Sequence, residues 1–238
     1  MRRFAVMPPS SRRCPARTIA VVALTAVIFV GCGATYPGSD RAQVRRGVQA
    51  IEGLPQDGFT LGRSQARWTL TVISSATRYE LDQLITMLPA LVKRFVRPGR
   101  MNIQLRTPST GVYGANGDER TAAGALLAAG LQRRYWDALV RFVPTYRGRL
   151  SDGDISALLQ RSAVPDVRRA MAERASPRVR AALDRADVVA ATAATAFPAS
   201  AGKDRVIYLL TPHGEDPRNV TLDGDLGRLV DVLGSVVR

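Results

Sequence analysis

The sequence predicts an α/β domain with the order β-α-β, a block of helices, then β-β-α, behind an N-terminal signal segment. A β-branched strand, an amphipathic helix and a second strand follow one another within residues 68–105, which is the pattern of a βαβ unit. A strand, a turn, a short strand and a helix fill residues 205–237. The hydrophobic share of 46% and the charged share of 23% suit a chain that buries a core, so they exclude wholesale disorder.

Residues 1–31 have the layout of a signal peptide. The first 17 residues are basic and acid-free, and residues 18–30 form an unbroken apolar run. This run is shorter than the ~20 residues that a membrane-spanning helix needs. Residues 29–32 (Phe-Val-Gly-Cys) resemble a bacterial lipobox, in which the cysteine becomes the lipidated first residue. We therefore expect a bacterial cell-envelope protein anchored outside the membrane through Cys32. Cleavage without lipidation and an uncleaved short anchor are the alternatives.

A tether and a short leading helix are predicted for residues 32–48. Residues 34–42 are polar and turn-forming, as expected of a tether. From Gln43 onwards the apolar side chains follow helical spacing, at Val44, Val48 and Ile51. The folded domain is then expected over residues 49–238.

The βαβ unit begins with a buried strand at Trp68–Ser74 and ends with a second strand at Met101–Leu105. Between them, Thr77 and Glu80 have the spacing of a capping box, which predicts the start of a helix, and Pro98-Gly99 ends it. One face of that helix is apolar, through Leu81, Leu84, Leu88, Leu91, Val92 and Phe95. A right-handed crossover would make the two strands parallel neighbours.

A helical insertion is predicted between the second and third strands, at residues 118–196. Residues 120–143 are rich in Ala and Leu and predict a long helical stretch. A capping box at Ser151–Asp154 and a Ser176-Pro177 cap predict two further helix starts. The elements expected after the insertion are a strand at Arg205–Thr211, a short strand at Asn219–Leu222 and a helix at Asp225–Val237.

Three segments resemble the DsbA-like thioredoxin family. They are residues 51–62 with the strand that follows, residues 88–92 (Leu-Pro-Ala-Leu-Val), and residues 123–136, which lead into a Gln-x-x-x-Trp-Asp pattern. The resemblance covers Gln49–Arg238 and implies a thioredoxin-like fold in which the helical block is the insertion typical of the family. It also implies a site made of a Cys-x-x-Cys motif at the start of the first helix and a cis-proline loop that faces it.

Both cysteines of that motif are replaced in this sequence. The resemblance places Arg78, Tyr79, Glu80 and Leu81 on the motif, so that an arginine and a leucine occupy the two cysteine positions. The chain has two cysteines, and both precede residue 33. Thiol–disulfide exchange requires a thiolate. We therefore expect no redox catalysis by the mature domain.

Phe197-Pro198 is the candidate for the cis-proline loop that the resemblance implies, and an ordinary trans proline at the end of a helix is the alternative. Together with Arg78 and Tyr79 at the helix start, this loop would form a groove with positive charge beside an apolar wall. Such a groove suits an extended peptide or an acidic group. If the capping box of Thr77 closes the helix start, the groove binds nothing.

No other catalytic or metal-binding pattern is present in the sequence. The single histidine, His213, lies in a turn far along the chain from Ser74 and Ser75, so no hydrolytic triad is predicted. Metal-ligand spacings and phosphate-binding glycine motifs are missing, so no metal and no cofactor are expected. The net charge of +14 falls to +9 after residue 31, without a run of five basic residues, which argues against a nucleic-acid partner.

The leading hypothesis is a non-redox, lipid-anchored thioredoxin-like domain that binds an exported protein or peptide. Whether it is an enzyme stays open at this point, although the replaced motif favours a binding role. One alternative is an enzyme of the disulfide or thiol pathway that acts with a partner's cysteines. The other is a structural envelope lipoprotein.

Overall fold

A six-stranded sheet forms the centre of the domain, with the strand order β1-β2-β4-β3-β5-β6. The computed structural model describes residues 37–74, 79–108, 117–146, 150–197, 206–220 and 228–237. Within them the strands are β1 Gln56–Asp57, β2 Thr60–Leu61, β3 Trp68–Ile73, β4 Met101–Arg106, β5 Ile207–Pro212 and β6 Arg218–Asn219.

Strands β3 and β4 are parallel neighbours, as the βαβ pattern predicts. Their register runs from Trp68 opposite Met101 to Ile73 opposite Arg106. Strand β5 lies antiparallel on the other side of β3, and β2 lies antiparallel beside β4. The carboxyl ends of β3 and β4 therefore meet at one edge of the sheet, next to the amino end of β5.

Eight helices occur among the described residues. They are α1 Pro37–Ile51, α2 Tyr79–Leu91, α3 Gly117–Gly130, α4 Tyr135–Phe142, α5 Asp152–Arg161, α6 Val167–Glu173, α7 Pro177–Ala196 and α8 Leu229–Val236. Helix α2 continues into a π-helical turn at Val92–Val96. Helices α3 to α7 form the block between β4 and β5 that the sequence predicts.

Helix α1 begins six residues before Gln43, within the segment predicted to be a tether. Proline favours the first turn of a helix because it has no N–H to lose there, and Pro37 is the first residue of α1. The inner side of the helix packs closely: Gly47 faces Val140 of α4, with no room for a Cβ atom. Residues 36–238 form one compact unit, so α1 is part of the domain.

The long helical stretch predicted over residues 120–143 consists of two helices, α3 and α4. Gly130 ends α3, and the turn that follows contains Arg133 with a φ of 61°. Gln132 holds this turn in place: its Nε2 donates to the carbonyl oxygen of Asp166 at 2.9 Å, and its Oε1 accepts from the Asp166 N–H at 2.8 Å. The helix caps predicted at Ser151 and Ser176 are both present.

The core lies on both faces of the sheet. On one face Trp68, Leu70 and Val72 join the main apolar cluster with residues of α2, α4 and α8. On the other face the end of α7 covers a smaller cluster. Its buried members are Ile73, Ala190, Ala193, Ile207 and Leu209.

Candidate functional site

The candidate site is the edge where β3 and β4 end, which we call the carboxyl edge and define by Phe59, Ser74, Arg106, Thr107 and Phe197. Ser74 is fully buried, and its N–H donates to the carbonyl oxygen of Arg106 at 3.1 Å. This bond continues the parallel ladder one residue beyond β3. Ligands of open α/β sheets bind outside the carboxyl ends of the strands.

Leu81 is turned into the core at this edge. Helix α2 begins at Tyr79, and Leu81 two residues later is 0% exposed within the main apolar cluster. The position that the family resemblance gives to the second cysteine therefore holds a packed hydrocarbon side chain. Arg78 and Thr77 lie outside the described residues, as do the side chains of Tyr79 and Glu80.

Phe197 lies near the end of β3, on the face of the sheet that the end of α7 covers. It follows directly after α7, with a φ of −132° and a ψ of 62° that leave the helical region. Its half-buried ring packs against the smaller apolar cluster, which includes Ile73 of β3 and Ile207 of β5. Phe197 is thus close to the strand that leads into α2. Pro198 and Cys32 lie outside the described residues.

Arg106 is the charged residue of the carboxyl edge, and the sequence did not single it out. Its guanidinium carbon lies 3.6 Å from the centre of the Phe59 ring, a close cation–π contact. Its Nη2 donates to Gln104 Oε1 at 3.2 Å. Burial lowers the pKa of Arg106; Tyr135 opposes this shift, and the positive charge of Arg185 on α7 adds to it.

Tyr135 lies in the interior next to Arg106. The side chain is 0% exposed, and burial raises the pKa of its phenol, while the hydroxyl of Thr107 counteracts that rise. The ring packs edge-on against Trp136, with 6.2 Å between the ring centres. The first residues of α4 therefore lie against the end of β4.

Trp136 also fixes the hairpin that carries Phe59. Its Nε1–H donates to the carbonyl oxygen of Phe59 at 3.1 Å, and its backbone N–H donates to Gln56 Oε1 at 3.0 Å. Gln56 in turn donates through Nε2 to Asp137 Oδ2 at 2.9 Å. The β1–β2 hairpin is thereby held on the insertion. The only sequence signal for this arrangement was the Trp-Asp pair in the family resemblance.

The remaining candidates from the sequence lie elsewhere. His213 is exposed in the turn after β5, and its backbone N–H donates to the carbonyl oxygen of Arg67 at 2.8 Å. Because β5 runs antiparallel to β3, this turn lies at the edge of the sheet opposite Ser74. Within the described ranges, no group of three His, Cys, Asp or Glu side chains could hold a metal ion.

The described part of the chain contains no helix that is both long and apolar enough to cross a bilayer.

Comparison with known proteins shows a likeness in structure alone. No protein-family model matches the chain, and no curated protein matches its sequence. Among solved structures, BdbD from Bacillus subtilis is similar, with a TM-score of 0.55 at 11% identity, over 78% of this chain and 97% of that chain. DsbA2 from Pseudomonas aeruginosa has a TM-score of 0.53 at 14% identity, over 78% of this chain and 97% of that chain.

A third similar structure is α-DsbA1 from Wolbachia pipientis, with a TM-score of 0.53 at 14% identity, over 75% of this chain and 90% of that chain. All three likenesses cover nearly the whole of the compared chain. The chain therefore has the thioredoxin-like fold of DsbA-type proteins, with a helical insertion between β4 and β5.

Proposed function

We propose that the protein is an exported, lipid-anchored thioredoxin-like domain that binds polypeptide at its carboxyl edge and does not catalyse thiol–disulfide exchange. The observation that carries this proposal is Leu81. A fully buried leucine occupies the position of the second family cysteine, and the chain has no cysteine after residue 32. Since exchange requires a thiolate, the fold is retained here without its redox chemistry.

The composition of the carboxyl edge supports a polypeptide ligand. The rings of Phe59 and Phe197 are both half-buried, and the half-buried cation of Arg106 lies beside Phe59. From β2, which follows Phe59, to β5, which contacts Phe197, the sheet crosses three strand spacings, or about 14 Å. About four residues of an extended peptide span that distance. Apolar contacts near both ends of such a segment would hold it across the strand ends.

Export and anchoring are supported by the N-terminal sequence. Residues 1–31 have signal-peptide layout, and Cys32 ends a lipobox-like segment five residues before α1 begins at Pro37. Five residues reach at most about 18 Å, so the anchor would keep the domain close to the membrane surface. Mass spectrometry of the protein from a bacterial host should show diacylglyceryl-modified Cys32, and Cys32→Ala should remove the modification. A chain that begins at Met1 in the soluble fraction would contradict this part of the proposal.

Two assays on the full chain in mild detergent test the function. In an insulin-reduction assay we expect no turnover above the uncatalysed rate, and turnover would refute the non-redox role. On an array of 12-residue peptides we expect a reproducible bound subset, weakened about tenfold by Phe59→Ala. Phe59→Leu, which keeps an apolar side chain, should weaken binding less, and Arg168→Gln on the exposed face of α6 should change nothing. Absence of any bound peptide would refute the binding role.

A further inference from the structure

We propose that Arg106 binds a carboxylate of the polypeptide ligand, with Phe59 holding its guanidinium plane and Arg185 adding a second positive charge. This inference rests on the proposed peptide-binding function and names the chemistry that the same edge recognises. The carboxylate can come from an acidic side chain or from a free C-terminus, since both present the same planar pair of oxygens.

The first argument is that Arg106 is a half-buried cation without an acidic partner among the described residues. Other well-covered arginines have one: Arg141 and Arg174 each have 21% of the side chain exposed, and they contact Asp137 at 3.5 Å and Asp152 at 2.8 Å. Arg106 contacts an aromatic ring and an amide oxygen instead. A charge removed from water is costly unless it is paired. A carboxylate on the ligand would supply the missing counter-charge.

The second argument is the geometry of the guanidinium group. The guanidinium carbon of Arg106 lies over the Phe59 ring, 3.6 Å from its centre, and one N–H is bonded to Gln104. Arginine has five N–H donors in a fixed plane, so most of them have no acceptor within the part of the chain that the structure describes. A plane fixed in this way is ready for two parallel bonds to a carboxylate, and little side-chain entropy remains to be lost when they form.

The third argument is the second positive charge. Arg185 is exposed on α7, and its positive charge lowers the pKa of Arg106, against a larger opposing contribution from Tyr135. In the described residues Arg185 has no ion pair, so the two cations are not neutralised. An anion bound at Arg106 would offset this repulsion. The exposed Arg185 would also attract acidic ligands from solution.

Fluorescence polarisation with three labelled 12-residue peptides of otherwise identical sequence, taken from the array, tests the proposal on the full chain. The first peptide has one internal Glu and an amidated C-terminus, the second has Gln in its place, and the third has that Gln and a free C-terminus. We expect one or both carboxylate peptides to bind about tenfold more tightly than the neutral one at low salt. The peptide that gains affinity shows which source of carboxylate is recognised.

Variants assign the preference to Arg106. Arg106→Gln should remove the preference while the neutral peptide still binds, and Arg106→Lys should restore only part of it, because an ammonium cannot form the paired bonds. Arg168→Gln, the matched exposed control, should leave the preference unchanged. Thermal unfolding followed by circular dichroism checks that each variant is folded, and the Lys variant provides the test if the Gln variant is not. Equal binding of all three peptides by the wild type would overturn this proposal alone, whereas no binding of any peptide would overturn the proposed function with it.

Discussion

Replacing Gly124 by alanine tests how tightly α3 is packed in the helical insertion. Gly124 is buried in α3, and a Cβ atom there would lie 2.7 Å from the carbonyl oxygen of Arg174, at the end of α6. Since the neighbouring atom belongs to the backbone, it cannot turn aside as a side chain would. The two helices would have to separate by several tenths of an ångström. We therefore expect Gly124→Ala to loosen the contact between α3 and α6.

The magnitude follows from two opposing effects. Alanine is favoured over glycine in a helix interior by about 1 kcal/mol, whereas forcing an extra carbon into a packed interior costs about 1–3 kcal/mol. The net change is a loss of about 1 kcal/mol in the free energy of unfolding. For a domain of this size that lowers Tm by about 2–4 °C.

Gly153 in α5 provides the matched control. Its added Cβ would meet nothing closer than the Ser151 Oγ at 3.6 Å, which is an ordinary contact, so Gly153→Ala should gain up to about 1 kcal/mol. Urea unfolding of both variants measures the difference, provided that the slope of free energy against urea stays the same. The reasoning would be refuted if Gly124→Ala stabilised the protein as much as Gly153→Ala.

Three further predictions concern a helix cap, a buried phenol and the two positions of the family motif. Ser151→Ala should lower the free energy of unfolding by about 1 kcal/mol in urea titrations. Hydrogen bonds from Ser151 lower the pKa of Asp154, so the stabilisation that this cap gives the wild type should decrease as acid protonates the carboxylate. Burial raises the pKa of Tyr135, so above pH ~10 this tyrosine ionises first in the unfolded chain, and the wild type loses stability. Tyr135→Phe should reduce that loss. Urea unfolding at pH 8 and pH 11 measures it, with Tyr146→Phe as the control. In a background without Cys14 and Cys32, Arg78→Cys with Leu81→Cys should form an intramolecular disulfide.

The sheet could be predicted because each central strand has a recognisable pattern over a few neighbouring residues. In β3 the buried residues Trp68, Leu70 and Val72 alternate with half-buried threonines, and β-branched runs of this kind favour strands. The capping boxes and Ser-Pro caps likewise concern residues close together in sequence. The break at Gly130 was harder to predict, because the turn that follows it depends on Gln132 contacting Asp166, which is 34 residues away in sequence.

The carboxyl edge could be predicted only where the family resemblance covered it. The resemblance drew attention to Leu81, which is buried in the main apolar cluster, and to Phe197, which packs against the cluster that contains Ile73 of β3. Arg106 was missed because its partner Phe59 is 47 residues away in sequence and Tyr135 is 29 residues away. Local patterns do not encode such pairs. The one local signal for Arg106 as a site residue is its position at the end of a buried strand.

Restoring the two cysteines decides whether Arg78 and Leu81 truly occupy the positions of the family motif. Residues three apart at the start of a helix are within the Cα separation that a disulfide spans, and α2 begins at Tyr79, directly between the two. The thiol at position 78 should have a pKa below the usual ~8.5, because the helix N-terminus stabilises the thiolate, while the negative charge of Glu80, two residues further along the sequence, limits the shift. A single Ala90→Cys variant, in the last turn of the same helix, should show no such lowering. The disulfide is checked by mass spectrometry and the pKa by the pH dependence of iodoacetamide alkylation. A folded double variant that stays reduced under mild oxidant would mean that the motif lies elsewhere in the domain, although the lack of any cysteine after residue 32 would still exclude thiol chemistry there.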